Sequence, residues 1–219
     1  LQNDGIDHLV KNIIPYYKTL NSNVIANIAG ETIEDFIEMV EKLNNSEVSM
    51  IELNISCPNV KQGGMAFGTS KSSIQNLVSS VKKVSKKPII VKLSPNVTNI
   101  SEMAKIAEDS GADCISLINT ILSMRIDIKT KKPILRTNYG GLSGEAVFPI
   151  ALRMVNQVYN AVKIPIIGIG GISNWKMAVE MIMAGASMIQ IGSAMFNQPK
   201  TPIDIIDGLE TYLSENNID

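Results

Sequence analysis

The sequence predicts an α/β fold built on a parallel β-sheet. Short apolar runs alternate with amphipathic stretches along the chain, and the runs are almost continuously hydrophobic. Such runs are typical of parallel strands that are buried on both faces. Glycines stand where two helices should stop, at Gly111 and Gly185, and each is followed by alanine and the next apolar run. Repeated units of this kind form either a closed (β/α)8 barrel or an open doubly wound sheet.

In chain order, the pattern gives six strands and six helices. The predicted strands are Val24 to Ile28, Met50 to Ile55, Ile89 to Leu93, Cys114 to Ile118, Pro165 to Ile169 and Met188 to Ile191. The predicted helices are Thr32 to Leu43, Ser72 to Val84, Ile100 to Ser110, Val147 to Val162, Asn174 to Ala184 and Ile203 to Leu213. A barrel needs eight strands, and the first residues, LQNDGIDHLV, read like the middle of an element. If the fold is a barrel, we therefore expect its first two strands to be missing before Leu1.

One stretch, Ile121 to Gly144, interrupts the alternation of strands and helices. It contains two short alternating segments about a lysine-rich turn, followed by a glycine pair. This pattern predicts an inserted β-hairpin that packs over the strand ends. The chain contains no low-complexity linker. We therefore predict a single domain over residues 1–219.

Composition excludes several classes of function. The chain has 219 residues, of which 45% are hydrophobic, and its 20 basic and 21 acidic residues give a net charge of −1. Such a balance provides no field to attract nucleic acid or an anionic membrane surface, and no apolar stretch approaches the roughly 20 residues of a membrane span. The two cysteines, Cys57 and Cys114, cannot build a disulfide framework or a metal cluster. These features favour a cytoplasmic protein without a metal site.

The segment from Glu52 to Thr69, ELNISCPNVKQGGMAFGT, is the strongest candidate for a site. An apolar strand runs into Cys57, and Pro58 biases the cysteine toward extended backbone at the carboxyl end of the strand. Asn54 and Asn59 flank the thiol with amide groups, and three glycines follow that would allow a lid to open and close. A surface loop with an incidental cysteine is the alternative. The combination of the Asn-x-x-Cys-Pro-Asn spacing and the glycines favours a functional site.

Glycines at the ends of the last two predicted strands indicate a phosphate site. Gly170 and Gly171 follow the first of these strands, and Gly192 and Ser193 follow the second. In barrels, the backbone N–H groups of these two loops commonly bind phosphate, together with a short helix N-terminus. Tight turns alone would explain one such pair, whereas two pairs favour phosphate binding. The spacing does not match a dinucleotide fingerprint, which argues against a nicotinamide site here.

Polar residues at other strand ends complete the candidate site. Asn27 lies near the end of the first strand, and Asn119 and Thr120 follow the fourth. Lys92 lies in an otherwise apolar strand, where an ammonium group is costly to bury without a partner. We therefore expect Lys92 to point into the site. Cys114, by contrast, is expected to be a small core residue.

Taken together, these segments resemble the catalytic subunit of class 1 dihydroorotate dehydrogenases. The segments VIANIAG, ELNISCPNVKQGGMAFGT, VKLSPN, INT, GGLSG, IIGIGGI and IGSAMF occur in the order found in that family. The form NVKQGG followed by AFG is similar to subclass 1B. The resemblance implies a (β/α)8 barrel with FMN at the carboxyl ends of the strands. It also implies the oxidation of (S)-dihydroorotate to orotate in pyrimidine biosynthesis.

The resemblance assigns roles to individual residues. It implies that Cys57 is the catalytic base and that FMN is bound by Asn27, Asn54, Lys92, Ile118, Gly144, Gly170, Gly171, Gly192 and Ser193. It implies substrate contacts from Leu1, Asn54, Asn59, Asn119 and Thr120. Subclass 1B also implies a partner subunit that carries FAD and a 2Fe-2S cluster and passes electrons to NAD. A homodimer of catalytic subunits within a heterotetramer is then expected.

Two other functions remain open from the sequence. A related FMN barrel oxidoreductase would act on another dihydropyrimidine. A non-catalytic remnant would keep the scaffold without holding flavin, because a barrel without its first two strands has exposed apolar edges. Flavin content separates this remnant from both enzymes.

Overall fold

The computed structural model describes residues 3–55, 68 and 70–218, and it contains a six-stranded parallel sheet. The strands of this sheet are β1 (Ile25–Ile28), β2 (Met50–Asn54), β3 (Ile89–Lys92), β4 (Cys114–Leu117), β9 (Ile166–Ile169) and β10 (Met188–Gln190). They lie in the order β1-β2-β3-β4-β9-β10, and each neighbouring pair is parallel. All six strands predicted from the sequence are confirmed.

Residues along each strand point alternately to the outer and the inner face of the sheet, and the two faces contribute to separate hydrophobic clusters. Ile51, Leu53 and Val91 pack in the main core together with residues of the surrounding helices. Ile90 and Cys114 instead form a small separate cluster with Ile167 on the other face of the sheet. In the part of the chain that the structure describes, the helices therefore cover one face only. This arrangement agrees with a barrel and contradicts the doubly wound alternative, in which helices would cover both faces.

The sheet is curled into a half-barrel. Gln190 in β10 donates a hydrogen bond of 3.1 Å from Nε2 to Oε1 of Glu52 in β2. In a flat sheet these strands would lie about 19 Å apart, because neighbouring strands are spaced by about 4.8 Å. The curl brings them within direct contact across the interior. Among the described residues, β1 and β10 are the edges of the sheet, and Met188 of β10 is 46% exposed.

Helices connect the parallel strands on the outer face. The chain begins with α1 (Gly5–His8), a π-helical segment (Leu9–Ile13) and α2 (Ile14–Thr19). The later helices are α3 (Ile33–Asn44), α4 (Lys71–Val84), α5 (Ile100–Asp109), α6 (Phe148–Tyr159), α7 (Trp175–Met183), α8 (Ala194–Asn197) and α9 (Thr201–Asn216). A 3-10 turn, Glu145–Val147, precedes α6. The six helices predicted from the sequence are confirmed as α3, α4, α5, α6, α7 and α9.

Polar caps define where several of these helices begin. The hydroxyl of Thr32 accepts a hydrogen bond from the backbone N–H of Asp35, whose carboxylate in turn accepts the N–H of Thr32, which forms a capping box. Asn99 and Asn174 cap α5 and α7 by accepting backbone N–H groups of the first turn. Such caps are each worth about 1 kcal/mol. They fix the points at which the chain leaves the carboxyl ends of the strands.

The inserted hairpin is also confirmed. Strand β5 (Ile121–Ser123) pairs antiparallel with β8 (Gly140–Leu142), and β6 (Ile126–Asp127) pairs antiparallel with β7 (Lys132–Pro133). The lysine-rich turn lies at its tip, where Lys131 has a positive φ of 56°. The hairpin leaves the sheet directly after the segment that follows β4, so it borders the carboxyl ends of the strands. Within the described part of the chain, no helix is long and apolar enough to span a membrane.

Candidate active site at the carboxyl ends of the strands

A cavity of about 420 Å³ lies at the carboxyl ends of the parallel strands. This volume falls within the range of about 300–1,000 Å³ that is usual for small-molecule sites. The residues that line it include Lys92, Ile118, Asn119, Thr120, Leu142, Gly170, Gly171, Ile191, Gly192 and Ser193. A second cavity of about 360 Å³ shares Gly171 and Ser193 with it and is also lined by Gly144. The two cavities therefore adjoin each other at the strand ends, and they have both apolar and polar walls.

Lys92 ends β3, and its side chain lies largely within the half-barrel. The side chain is 14% exposed, and Nζ lies 3.8 Å from Oε2 of Glu52. The same lysine lines the cavity. Its position agrees with the expectation that Lys92 points into a site, and its role there stays a prediction.

Asn54 and the segment after β4 are held together by amide hydrogen bonds. Asn119 donates from Nδ2 to Oδ1 of Asn54 over 3.0 Å, and its own Oδ1 accepts the backbone N–H of Thr120 over 2.7 Å. The backbone N–H of Asn119 is bound by the carbonyl of Leu93. Two predicted substrate-binding asparagines are thus adjacent, with Thr120 beside them.

Asn96 clamps the same segment from the loop after β3. Its Nδ2 donates to the carbonyl of Thr120 over 3.1 Å, and its Oδ1 accepts the backbone N–H of Leu122 over 2.9 Å. Asn96 also lines a larger depression of about 650 Å³ on the outside of this loop. In that depression Lys71 forms an ion pair with Glu102, so these two charges compensate each other. The cavity at the strand ends is therefore the better candidate for the site.

The glycines after β9 and β10 lie side by side at the cavity. Gly171 has a φ of 77°, and a Cβ at this position would lie 2.6 Å from the carbonyl oxygen of Gly144. Only glycine fits there without displacing the backbone. At Gly192, by contrast, a Cβ would meet no atom within 4 Å. The loop after β9 is thus tightly packed against Gly144, whereas the loop after β10 borders open space.

Glu52 forms the centre of a polar cluster inside the half-barrel. It is 3% exposed and accepts hydrogen bonds from Asn27 Nδ2, from Ser116 Oγ over 2.7 Å and from Gln190 Nε2 over 3.1 Å. The sequence pattern above does not assign roles to Glu52, Ser116 or Gln190. The signal that was available is a carboxylate in an apolar strand, two residues before Asn54 and therefore on the same face. A charged group in an apolar strand is costly to bury without a partner, and this argument predicts a buried partner for Glu52 as it does for Lys92.

Cys114 lies in the small inner cluster and is 4% exposed. Burial raises the pKa of its thiol to about 12, and the negative charges of Glu52 and Asp113 add to the rise. A thiol in this environment stays protonated near neutral pH. The prediction that Cys114 is a core residue is confirmed.

The chain matches the family model described as dihydroorotate dehydrogenase over residues 1–213. The chain belongs to this family. Several relatives carry the name dihydroorotate dehydrogenase B (NAD(+)), catalytic subunit. That of Brachyspira hyodysenteriae is 55% identical over 220 residues, which cover 100% of this chain and 72% of the relative.

Two further relatives of the same name show the same extent of similarity. That of Bacteroides thetaiotaomicron is 55% identical over 217 residues, covering 99% of this chain and 72% of the relative. That of Alkaliphilus metalliredigens is 52% identical over 218 residues, covering 100% and 72% respectively. These similarities place the chain with the subclass 1B catalytic subunits of the dihydroorotate dehydrogenase family.

Several of the residues expected from the resemblance line the cavity at the strand ends, namely Lys92, Ile118, Asn119, Thr120, Gly170, Gly171, Gly192 and Ser193. Gly144 lines the adjoining cavity, and Asn54 is hydrogen-bonded to Asn119. Asn27 is not among the lining residues and donates instead to Glu52 inside the half-barrel. The remaining expected residues, Leu1, Cys57 and Asn59, lie outside the described part of the chain, as do the glycines of the expected lid at positions 63 and 64. Their roles stay predictions from the dihydroorotate dehydrogenase resemblance.

Proposed function

We propose that this protein oxidises (S)-dihydroorotate to orotate in the de novo synthesis of pyrimidines, with FMN as its bound cofactor. The observation that carries the proposal is the 55% identity over the whole chain to a relative named dihydroorotate dehydrogenase B (NAD(+)), catalytic subunit. The cavity at the strand ends supports it independently, because its lining combines apolar walls with the amide of Asn119, three hydroxyl groups and Lys92.

The residues at the cavity fit a flavin mononucleotide. Open space beside Gly192 allows a phosphate to reach backbone N–H groups. Ile118, Leu142 and Ile191 provide apolar surface for an aromatic ring. When bound, FMN supplies the acceptor for the hydride that leaves C6 of dihydroorotate.

The proposed binding roles come from the resemblance to dihydroorotate dehydrogenases, and the cavity lining supports those of Lys92, Ile118 and the glycines after β9 and β10. Gly144, Gly170, Gly171, Gly192 and Ser193 hold the phosphate and ribityl parts of FMN. Asn27, Asn54, Lys92 and Ile118 hold its ring. The substrate is bound by Leu1, Asn54, Asn59, Asn119 and Thr120, since asparagine amides pair with both the carbonyl and the N–H groups of a pyrimidine.

The proton from C5 of dihydroorotate needs a base, and we assign this role to Cys57. A thiol has an ordinary pKa of about 8.5 to 9, and amide donors or a nearby cation increase its thiolate fraction. The thiolate removes the C5 proton while the hydride leaves C6, which completes the double bond of orotate. Cys114 does not share this role because its thiol is buried away from the cavity lining.

The electrons then leave through a partner subunit. Since the names of the relatives include both NAD(+) and a catalytic subunit, we propose an iron–sulfur flavoprotein partner that carries FAD and a 2Fe-2S cluster. A homodimer of catalytic subunits with two such partners, located in the cytoplasm, completes the proposal. The size of the co-expressed complex tests the assembly, and the absence of any complex would contradict it.

Anaerobic visible spectroscopy tests the activity. The full-length protein is supplemented with FMN, and its spectrum is recorded before and after dihydroorotate is added. Bleaching of the bound flavin is the expected result. Cys57→Ala should retain FMN but lose the bleaching near neutral pH, whereas the matched variant Cys114→Ala should bleach like the wild type. A protein that retains no FMN, or that retains FMN without bleaching, would contradict the proposed function.

A further inference from the structure

Glu52 is a buried carboxylate held by four strands other than its own. Its partners are Asn27 in β1, Lys92 in β3, Ser116 in β4 and Gln190 in β10. The side chain is 4% exposed, so almost all its contacts are to protein. Every one of these partners presents a nitrogen or hydroxyl donor. The arrangement therefore satisfies a negative charge.

The sheet itself gives no reason for a carboxylate at this position. Burying a carboxylate is costly. A protein with apolar side chains in place of a buried ion pair is often as stable as the original or more stable. The neighbouring inner positions Ile90 and Ile167 show that the half-barrel accepts apolar residues on the same face. The contacts of Glu52 instead point toward the cavity, because Lys92 both faces Glu52 and lines the cavity.

The two oxygens of Glu52 divide the partners. Oε2 accepts from Asn27 and lies 3.8 Å from Lys92 Nζ, whereas Oε1 accepts from Ser116 and Gln190. The Oε2 side thus contacts the two polar residues to which the proposed function assigns ring contacts. The Oε1 side anchors the carboxylate to β4 and β10. Glu52 is consequently fixed from one side while it positions Lys92 and Asn27 on the other.

We propose that Glu52 is a positioning residue that sets how much of the Lys92 charge is available to the cofactor. This inference rests on the proposed function, since it takes FMN as the ligand of the cavity. The carboxylate offsets part of the lysine charge and holds the ammonium group at the cavity wall. A neutral side chain at position 52 would leave Lys92 uncompensated, and the cavity would then favour the reduced, negatively charged flavin more strongly.

The substitution Glu52→Gln isolates the charge. A glutamine can keep its oxygen toward Asn27 and Lys92 and donate its amide to Ser116 Oγ, with the side-chain amide of Gln190 rotated to accept. Glu52→Asp does the opposite, because it keeps the charge and withdraws the oxygens from their partners. Glu41→Gln removes a carboxylate that is exposed on α3 and serves as the matched control.

The experiment measures the dissociation constants of oxidised and reduced FMN for the full-length protein, the second under anaerobic conditions. In Glu52→Gln, the ratio of the oxidised to the reduced dissociation constant should rise about tenfold, as expected for the loss of one charge in a partly buried site. In Glu52→Asp both forms should bind more weakly with an unchanged ratio. Glu41→Gln should match the wild type. A ratio in Glu52→Gln equal to that of the wild type would overturn the inference.

A second comparison, between Lys92→Gln and a double variant, tests the inference without relying on the single variant Glu52→Gln. Lys92→Gln leaves the carboxylate without its cation, whereas the double variant Glu52→Gln/Lys92→Gln removes both charges. The ratio should be higher in the double variant than in Lys92→Gln, because the carboxylate opposes the reduced flavin. Equal ratios would show that Glu52 acts on the fold alone. A wild type that fails to bind FMN would overturn the proposed function as well, whereas wild-type binding with equal ratios would overturn only the role of Glu52.

Discussion

Asn119 donates a hydrogen bond of 3.0 Å to Oδ1 of Asn54, and this bond joins the segment after β4 to the end of β2 across the intervening strand β3. The bond fixes the orientation of the Asn54 amide, because its oxygen accepts from Asn119. The oxygen of Asn119 is directed to the backbone N–H of Thr120 over 2.7 Å. The amide groups that we assign to pyrimidine binding are thus positioned by one another within the protein.

Asn96 should affect substrate binding without contacting the flavin. It holds both Thr120 and Leu122, so Asn96→Ala removes two hydrogen bonds that position the segment Asn119–Thr120. Each bond is worth about 1 kcal/mol, and we expect the KM for dihydroorotate to rise about tenfold. The dissociation constant of FMN should not change. Steady-state kinetics and flavin titration measure the two quantities.

Asn99→Ala is the matched control for this prediction because it lies in the same loop and caps α5. It should lower the free energy of unfolding by about 1 kcal/mol and leave the KM unchanged. An increase in KM of the same size in both variants would show that the loop responds to general destabilisation, and the clamp would then have no specific role.

Gly192→Ala should weaken FMN binding without weakening the fold. A Cβ at this position meets no protein atom within 4 Å and projects into the space that we assign to the phosphate. The melting temperature of the apoprotein should stay within 1–2 °C of the wild type by the size of ordinary surface substitutions, about 0.5 kcal/mol. The dissociation constant of FMN should rise at least about tenfold, corresponding to about 1.4 kcal/mol. Unchanged FMN affinity would place the phosphate elsewhere.

Gly171→Ala, unlike Gly192→Ala, should destabilise the apoprotein. Its Cβ would lie 2.6 Å from the Gly144 carbonyl, and the residue has a φ of 77°. We expect a loss of about 1–3 kcal/mol in the free energy of unfolding, because both a steric contact and an unfavourable backbone conformation must be accommodated. Chemical denaturation of the apoprotein measures it. Stability equal to that of Gly192→Ala would contradict the packing seen between these loops.

The inner strands were predictable because their residues are buried on both faces, which leaves continuous apolar runs such as Ile89–Val91. The same rule identified Lys92 as an exception that needs a partner. The partner itself was not predictable, since Glu52 meets Gln190 only after the sheet has curled through three intervening strands. Register and curvature depend on the packing of all the helices. They are therefore not readable from the pattern of a single strand.

The clamp formed by Asn96 was missed for a related reason. Its partners Thr120 and Leu122 are backbone groups 24 and 26 residues away, and any asparagine in a loop has the same local appearance. The hairpin, in contrast, was visible because its strands and its turn are adjacent in sequence. Local signals thus predicted elements and candidate residues, whereas contacts between loops required the structure.

Glu108 should stabilise the fold at neutral pH and lose this effect in acid. Its Oε1 accepts the backbone N–H groups of Lys163 over 2.7 Å and Ile164 over 3.2 Å. A hydrogen bond from Lys105 and these backbone bonds lower the pKa of Glu108. Because the folded pKa lies below the unfolded value of about 4.3, the stabilisation is present above that pH and is lost as the pH falls through the folded pKa.

The variants Glu108→Ala and Glu108→Gln separate the contribution of the hydrogen-bond acceptor from that of the negative charge. Alanine removes the acceptor and should lower the free energy of unfolding by about 1–2 kcal/mol at pH 7. Glutamine keeps one oxygen for both N–H groups, so its loss at pH 7 should be smaller. Both variants should show a weaker dependence of stability on pH below about 4.3 than the wild type. Urea unfolding between neutral and acidic pH measures this, and curves parallel to that of the wild type would contradict the role of the carboxylate.

Cys114 should make the wild type less stable in alkali than a variant without the thiol. Burial, with the charges of Glu52 and Asp113, raises the thiol pKa to about 12 from an ordinary value of 9.0. Since the folded pKa lies above the unfolded one, this contribution to stability is complete below about pH 9 and is lost as the pH rises toward about 12. Comparison with Cys114→Ala cancels the titration of lysines and tyrosines, which both proteins share.

At pH 8 the wild type should be more stable than Cys114→Ala by about 1 kcal/mol, because alanine leaves part of the inner cluster unfilled. Above pH 9 the difference should shrink by at most about 1.4 kcal/mol per pH unit, the limit for one proton, and then change sign. Chemical denaturation at a series of pH values measures the difference. A difference that stays constant between pH 8 and 11 would show that the thiol ionises equally in the folded and unfolded protein, and Cys114 would then not be shielded within the half-barrel.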